Sequence, residues 1–331
     1  MKAVKLPSGS YRIRKMIDGK SYSFTFDHKP TQKEILKELQ SVDDSKDLVS
    51  KGTFDDYASK YLEIKEEVLS PSTIRSYFTI KKGLSNEFSK KQLKNLTAAD
   101  VQAEINRLAV NRSPKTVRNY HGFISAVMDL YRPDLQLRTT LPQKENKEVN
   151  IPTDEEVKQI LDACKGLSYE LAIRLGIYGL RRSEVCAVTS DDLNGNLLTI
   201  NKSLVQDKDN KFVVKNFGKT TSSTRTIYID DYAAQLLREQ KKGFNGYPNC
   251  ILDYLHALQD RLQIPRFKFH SLRHYYASVA HSLGVPDSYI MEAGGWSSDH
   301  VLKAVYRHAQ KDKNEDMMKF TAEYMSEQLF S

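Results

Sequence analysis

A polar segment bounded by prolines constrains the fold of this chain more than any other feature. Residues 138–152 contain Pro142 and Pro152 and are otherwise dominated by charged and amide side chains. Such a segment is typical of an interdomain linker, because it offers little apolar surface to bury. The chain has 331 residues, enough for a separate core on each side. We therefore expect two or three domains rather than one.

The composition excludes several classes of protein. No stretch approaches the roughly 18 consecutive apolar residues of a membrane-spanning helix, and the start Met1–Lys5 lacks the apolar run of a signal peptide. We therefore expect a cytosolic protein without a membrane partner. The three cysteines, Cys164, Cys186 and Cys250, are odd in number and lack metal-ligand spacing, which predicts neither a disulfide framework nor a zinc site.

The net charge of +8 is unevenly distributed. Lys and Arg outnumber Asp and Glu by 9 to 4 in residues 1–41 and by 18 to 15 in residues 42–150, and the numbers are equal, 23 and 23, in residues 151–331. A positive excess favours a polyanionic partner, although many proteins carry one for solubility alone. Its location predicts that the N-terminal half binds phosphate groups and that the C-terminal half has another task.

The first 41 residues are predicted to form a small sheet and one helix. Residues 11–14 and 22–26 alternate with period two around the turn-forming pair 18–19, and Thr31 with Glu34 forms a capping box. One face of this sheet is basic and rich in hydroxyls, which suits the DNA major groove but equally suits a solvated surface. The candidate DNA-binding residues on this face are Arg12, Arg14, Ser21, Ser23 and Thr25.

Residues 53–137 are predicted to form a helical domain. Helix starts are indicated at Thr53, Ser70, Thr97 and Ser113. Residues 70–77 and 113–120 share the pattern S-P-x-T-[IV]-R-x-Y, which puts hydroxyls, free N–H groups and an arginine at a helix N-terminus, where a phosphate binds well. The alternative is an ordinary N-cap with a core tyrosine. The candidate DNA-binding residues are Thr73, Arg75, Thr116 and Arg118.

The C-terminal region, residues 153–331, is predicted to be mostly helical. Thr153 and Glu156 form another capping box, and strands are predicted at 197–200, 212–214 and 226–229. The fold class is therefore mainly α and multidomain (α+β). It comprises a small three-stranded sheet with a helix, a helical domain, a linker at 138–152 and a mixed, mostly helical domain.

Four short motifs of the C-terminal region carry residues suited to phosphate chemistry. They are G-L-R-x-S-E with Arg181 and Glu184, K-T-x-x-S-x-R with Lys219, H-x-L-R-H with His270 and Arg273, and G-W-S-S followed by Y-x-H with Trp296 and Tyr306. An Arg and a Glu three residues apart share a helix face, so the carboxylate can orient the guanidinium. Each motif alone also has an ordinary interpretation, such as a surface ion pair, a solvated lysine or a core aromatic residue.

Together, in this order and spacing, the four motifs resemble the tyrosine recombinase, or phage-type integrase, family. Residues 53–137 are similar to the helical core-binding domain of that family, and residues 1–41 are similar to the arm-binding domain of some integrases. The resemblance implies a catalytic domain at 153–331. It also implies a site-specific recombinase of a phage or other mobile element, acting on DNA in the bacterial cytosol and nucleoid.

The resemblance implies a role for each matching residue. Tyr306 would attack a DNA phosphodiester to form a 3′-phosphotyrosine and release a 5′-hydroxyl. Arg181 and Arg273 would stabilise the charge on the nonbridging oxygens. Lys219 would protonate the leaving oxygen, and His270 would act as base or orient the phosphate. No cofactor and no metal ion are needed, because the phosphotyrosine conserves the bond energy.

Trp296 is a departure, because most members of the family carry His at this position. An indole N–H can donate to a phosphate oxygen but cannot transfer protons. We therefore expect Trp296 to contribute charge stabilisation and packing. The neighbouring Gly294-Gly295 is a second, smaller departure, since Leu-Gly is commoner there.

The resemblance also implies partners. These are double-stranded DNA with core-type and arm-type attachment sites, possible DNA-bending accessory proteins, and three further protomers in a tetramer on DNA. Residues 312–331 carry an apolar helical face that would either pack on its own domain or be exchanged between protomers. Two alternatives remain: a type IB topoisomerase-like enzyme that nicks and closes DNA, and a DNA-binding regulator without catalysis.

Overall fold

The computed structural model describes residues 4–6, 9–17, 20–31, 34, 52–145, 150–217, 224–296, 298, 319, 323 and 325–326. The chain divides into two compact units, Met1–Glu145 and Asn146–Ser331. This division lies inside the polar segment 138–152. The finer separation of residues 1–41 from 53–137 stays a prediction.

The first unit begins with an antiparallel sheet in the order β1-β2-β3, formed by Val4–Lys5, Tyr11–Ile17 and Lys20–Phe26. The predicted strands are confirmed. The turn at residues 18–19 lies outside the described residues. Thr31 and Glu34 make the reciprocal hydrogen bonds of a capping box, and most of the helix predicted to follow them is likewise outside the described residues.

Four described helices of the first unit start where the sequence predicts, whereas the short helix Asn86–Ser89 and the 3-10 helix Leu93–Asn95 were not predicted. Thr53 and Thr97 each form a capping box with an aspartate three residues on, and Ser70 and Ser113 each accept a hydrogen bond from the threonine N–H three residues on. The helices are α1 Phe54–Lys65, α2 Pro71–Gly83, α3 Asn86–Ser89, α4 Ala98–Asn111 and α5 Pro114–Tyr131, with a 3-10 helix at Leu93–Asn95. Their apolar faces form one core that includes Phe54, Ile105 and Phe123.

The second unit is mostly helical, as predicted. Its described helices are α6 Asp154–Cys164, α7 Glu170–Ile177, α8 Arg182–Val185, α9 Asp231–Gln240, α10 Pro248–Leu262, α11 Phe269–Ser282 and α12 Asp287–Gly294, with a 3-10 helix at Ser190–Asp192. Helix α7 is buried along most of its length and contacts α11. This contact brings the first and third predicted motifs together.

Two small sheets interrupt the helices of the second unit. β4 Leu193–Asn194, β5 Leu197–Ile200 and β8 Arg225–Tyr228 form one antiparallel sheet, and β6 Lys202–Gln206 pairs with β7 Phe212–Asn216. The predicted strands are present, whereas β4 and β6 were not predicted. The strand β6 escapes prediction because Lys202 and Gln206 give it only a short apolar stretch. No helix among the described residues is long and apolar enough to cross a membrane.

Candidate active site

The loop that carries Arg181 follows from the way α7 ends. Gly179 has φ of +89°, a left-handed conformation that favours glycine, and the N–H groups of Gly179 and Leu180 donate to the carbonyls of Gly176 and Leu175. Leu180 is fully buried. This C-terminal turn sets Arg181 at the start of α8.

Glu184 anchors Arg181 from three residues further along the chain. Its carboxylate accepts the backbone N–H of Arg181 at 2.8 Å and the guanidinium Nη1 at 2.6 Å. Glu184 is only 1% exposed. Burial alone raises the pKa of this carboxyl, but the hydrogen bonds and charges of Arg225 and Arg181 outweigh burial and hold the pKa below its usual value. The predicted pairing of Arg181 with Glu184 is therefore present, in a buried rather than a surface setting.

Arg273 is almost completely buried, with 1% of its surface exposed. Its Nη1 donates to the Gly179 carbonyl at 2.6 Å, while Nε and Nη2 have no hydrogen-bond partner among the described residues. Burial and the charges of Arg181 and Arg225 lower the pKa of Arg273 to about 9, so the guanidinium stays protonated at neutral pH. Two nitrogen donors of a buried cation thus remain for an external acceptor.

Trp296 packs on the guanidinium of Arg273. The centre of the ring lies 4.0 Å from the guanidinium carbon, and the indole is 8% exposed in a cluster with Ala277 and Ile290. A Cβ at Gly294 would lie 1.8 Å from the indole Cζ3 atom. The tryptophan therefore occupies the space that a side chain at position 294 would need, which gives the two departures noted in the sequence one physical explanation.

His270 lies at the exposed start of α11 beside a second histidine, His274. The two rings meet edge to face with centroids 4.7 Å apart. Desolvation of the ring and the neighbouring His274 and Arg273 lower the pKa of His270 to about 4. His270 is therefore a neutral imidazole at pH 7, with one ring nitrogen that donates and one that accepts a hydrogen bond. It lines an open pocket of about 250 Å³ together with Arg181.

Helix ends, rather than additional carboxylates, hold the guanidinium groups. The carbonyl of Gly295, just after α12, accepts Nη2 of Arg181 at 3.0 Å, and the carbonyl of Gly179, after α7, accepts from Arg273. Carbonyls at helix C-termini carry only partial negative charge. Arg181 and Arg225 donate to the carboxylate of Glu184, whereas Arg273 donates only to a carbonyl. Among the described residues of this cluster, three guanidinium groups thus accompany one carboxylate, and positive charge is left over.

Sequence reasoning assigned no role to Arg225. Its side chain is 1% exposed and donates to both oxygens of Glu184, at 3.2 Å from Nη1 and 2.9 Å from Nη2. The residue is the last letter of the K-T-x-x-S-x-R motif, and that position was the available signal. Five of the predicted residues lie near one another in the structure: Arg181, Glu184, His270, Arg273 and Trp296. Lys219 and Tyr306 lie outside the described residues.

In the first unit, the two repeated helix starts have equivalent cap geometry. The hydroxyls of Thr73 and Thr116 contact the cap hydroxyls of Ser70 and Ser113 at 2.8 and 2.9 Å. An open pocket of about 390 Å³ lies between α2 and α5. Its lining includes Ser72, Thr73, Ser76, Tyr77, Arg118 and Asn119, whereas Arg75 and Thr116 are not part of it.

The register of the N-terminal sheet pairs the predicted basic positions with hydroxyl positions. Arg12 lies opposite Thr25, Arg14 opposite Ser23, and Met16 opposite Ser21. Residues two apart on a strand share a face, so the five predicted positions lie on one face of the sheet. The neighbouring Ile13 is buried on the other face.

Comparison with known proteins decides the family. The model of the phage integrase family matches residues 150–313, and the model of the phage integrase N-terminal SAM-like domain matches residues 53–109. The chain belongs to the phage integrase family. Members of this family are tyrosine recombinases, enzymes that cleave and rejoin DNA. Residues 150–313, which the integrase family model matches, include Lys219 and Tyr306 as well as the cluster described above.

Two curated relatives resemble this integrase over part of its length. A tyrosine recombinase XerC-like protein of Caldanaerobacter subterraneus is 24% identical over 64% of this chain and 67% of its own length. The putative defective protein IntQ of Escherichia coli is 25% identical over 57% of this chain, and the match spans about half, 52%, of its length.

Solved structures have the same fold. The integrase of transposon Tn1549, in complex with a circular intermediate DNA, superposes with a TM-score of 0.65 at 17% identity, over 82% of this integrase and 100% of that chain. A lambda integrase dimer bound to a COC′ core site gives 0.58 at 14% identity, over 94% and 95%. Among the described residues of this integrase, no group of three or more His, Cys, Asp or Glu side chains could hold a metal ion.

Proposed function

We propose that this integrase is a site-specific recombinase that inserts and excises a phage or other mobile element through a covalent bond between Tyr306 and DNA. The observation that carries the proposal is the buried cationic cluster. Arg181 pairs with the carboxylate of Glu184, and the Nε and Nη2 atoms of Arg273 have no acceptor among the described residues. A phosphodiester in the transition state supplies the missing negative charge.

The reaction exchanges one phosphate ester for another. The Tyr306 oxygen attacks the phosphorus, the bond to the 5′-oxygen breaks, and Lys219 gives that oxygen a proton. Neutral His270 accepts the phenol proton or orients the phosphate. Arg181 and Arg273 stabilise the nonbridging oxygens, where bidentate donors match the geometry. The 5′-hydroxyl of a partner strand reverses these steps, so neither cofactor nor metal ion is required.

The first unit contributes DNA binding in this proposal. The pocket between α2 and α5 combines the Thr73 hydroxyl with the Arg118 guanidinium, whose Nη2 donates to the Pro142 carbonyl at 2.7 Å. Hydroxyls and guanidinium groups beside helix N-termini bind DNA phosphates. The N-terminal sheet, with Arg12 and Arg14 on one face, would contact arm-type sites, and the helical part would contact core-type sites.

Four protomers on two DNA sites would complete the reaction, with the C-terminal residues 312–331 exchanged between them and DNA-bending proteins assisting. The fold of this integrase is similar to that of a lambda integrase tetramer bound to a Holliday junction, with a TM-score of 0.53 at 15% identity. This similarity supports a tetramer as the proposed assembly. We assign the reaction to the bacterial cytosol, on the DNA of the nucleoid.

Covalent trapping tests the proposed function. Duplexes made from the DNA that flanks the gene, each nicked close to a candidate cleavage position, trap an active enzyme because the short cleaved strand diffuses away. We expect wild type to form a protein–DNA adduct and Tyr306→Phe to bind the same duplex without forming one. An adduct with Tyr306→Phe would refute the assignment of the nucleophile.

Trapping together with two further assays, plasmid relaxation and strand exchange between two sites, separates the alternatives. A regulator without catalysis would bind DNA and form no adduct with any nicked duplex. A topoisomerase-like enzyme would relax supercoiled plasmid with no need for a paired site. A recombinase instead yields exchanged strands only when two attachment sites are present.

A further inference from the structure

Arg225 contacts the groups that accept hydrogen bonds from Arg181 and Arg273, or their close neighbours in the chain. It lies at the start of β8, and its fork donates to both oxygens of Glu184, the carboxylate that anchors Arg181. Its Nη2 also lies 3.5 Å from the Gly179 carbonyl, which accepts Arg273. Its Nε donates to the Ala293 carbonyl at 2.8 Å, two residues before the carbonyl that accepts Arg181. One guanidinium thus bridges the ends of α7 and α12 and the start of α8.

Stability alone is a poor reason for this arrangement. A buried ion pair is often no more stabilising than apolar side chains of similar volume, because both charges lose their hydration. Here the burial of a third cation next to Arg181 and Arg273 adds repulsion, since the charge of Arg225 lowers the pKa of Arg273. Repulsion between these guanidinium groups therefore destabilises the fold at the position where the proposed reaction binds a phosphate.

We propose that Arg225 is a positioning residue, which rests on the proposed function: it fixes Glu184 and the carbonyls of Gly179 and Ala293 so that Arg181 and Arg273 are aimed at the same phosphate. Arg225 does not itself touch the DNA. Lysine cannot replace it, because a single ammonium group cannot span two carboxylate oxygens and a carbonyl in one plane.

The test compares two scissile groups in one nicked attachment-site duplex, an ordinary phosphodiester and a methylphosphonate. The methylphosphonate lacks one charged nonbridging oxygen, so its cleavage depends less on aimed guanidinium groups. Adduct formation is measured in single turnover for wild type, Arg225→Lys and the control Arg174→Lys. Arg174 is a matched control because it pairs at 2.9 Å with another fully buried carboxylate of the same unit, Glu170.

We expect Arg225→Lys to cleave the phosphodiester about 100-fold more slowly than wild type, as is usual when a transition-state donor is displaced. Its rate on the methylphosphonate should stay within about threefold of wild type. Arg174→Lys should change neither rate by more than about twofold. Glu184→Asp keeps the charge but shortens the reach, and it should reproduce the selective defect if Arg225→Lys does not fold.

Two results would overturn the positioning role: an equal loss of rate on both substrates, as expected from a merely structural residue, or an unchanged rate on the phosphodiester. Failure of the proposed function looks different. In that case wild type itself forms no adduct with either duplex.

Discussion

Two buried glutamates, one in each unit, pair with an arginine three residues away and have opposite consequences. In the first unit, Glu104 accepts the N–H and hydroxyl of Ser85 and two N–H groups of Arg107, whose side chain is 48% exposed. One carboxylate and one guanidinium balance each other there, and Nη2 of Arg107 also donates to the Gly83 carbonyl. In the second unit, Glu184 balances only one of three guanidinium groups.

The comparison distinguishes an ion pair that stabilises the fold from an ion pair that orients cations for binding an anion. Around Glu104, donors are neutral groups and a single solvated cation, so nothing is left to be bound. Around Glu184, helix-end carbonyls accept from the guanidinium groups, and Nε and Nη2 of Arg273 have no acceptor in the part of the chain that the structure describes. An excess of buried positive charge is costly unless an anion is bound in part of the functional cycle.

The largest expected effect comes from changing one arginine near each of the two glutamates. Arg273→Lys should lower the rate of adduct formation by at least about 100-fold, because a lysine cannot supply the aimed fork. Arg107→Lys should change that rate by less than about threefold, since its guanidinium faces solvent and a carbonyl. Single-turnover trapping measures both, and an electrophoretic mobility shift checks that DNA binding persists. Comparable losses from the two variants would remove the distinction between the units.

Neutralising each of the two glutamates should change the unfolding free energy by different amounts. Glu104→Gln should cost about 1.5–3 kcal/mol of unfolding free energy, the range for hydrogen bonds to a charged group, because the Arg107 it leaves behind is solvated. Glu184→Gln should cost more, because it leaves buried guanidinium groups facing one another without an anion.

Denaturant unfolding in sulfate and in chloride at equal ionic strength tests this difference. Sulfate stabilises most proteins, so the quantity of interest is its extra effect on Glu184→Gln relative to Glu104→Gln. We expect a clear extra gain for Glu184→Gln. An equal gain for both variants would argue against uncompensated charge at the site.

The sequence predicted helix starts and the contact between Arg181 and Glu184, but not the burial of that pair or the cations around it. Capping residues such as Thr53 and Thr153 determine where helices begin, because the signal is local, and those starts agree with the structure. The i, i+3 spacing of Arg181 and Glu184 predicted their contact. It could not distinguish that pair from Glu104 with Arg107, since burial and the number of surrounding cations depend on residues distant in sequence. Arg225 was missed for the same reason: its partner Glu184 is 41 positions away.

A glycine substitution tests the packing that supports the cationic cluster. In Gly294→Ala, the new methyl group would overlap the indole of Trp296, so the ring should leave the guanidinium of Arg273. We expect a cost of about 1–3 kcal/mol, typical of overpacking, and a rate of adduct formation about tenfold lower. Trp296 is the only tryptophan, so a red shift of its fluorescence reports the movement directly. Gly122→Ala in the first unit is the control for stability and emission, because no described atom lies within 4 Å of the added methyl group. Unchanged emission in Gly294→Ala would contradict this packing.

The smallest expected effect is a dependence of stability on pH that arises beside the cationic cluster. Burial and the charge of Arg273 lower the pKa of His274 to about 4, whereas an unfolded histidine titrates near about 6.5. Between these values the unfolded chain binds the proton and the folded chain does not, so the stability present at pH 7 is lost as the pH falls. From pH 7 to 5.5 the loss from His274 should be about 1 kcal/mol. His274→Phe should remove that part of the slope in denaturant unfolding, because phenylalanine fills similar space without titrating. If wild type and His274→Phe instead lose stability equally over this range, the pKa of His274 is not lowered by its burial and by Arg273. The electrostatic difference between the two units would then be smaller than the geometry indicates.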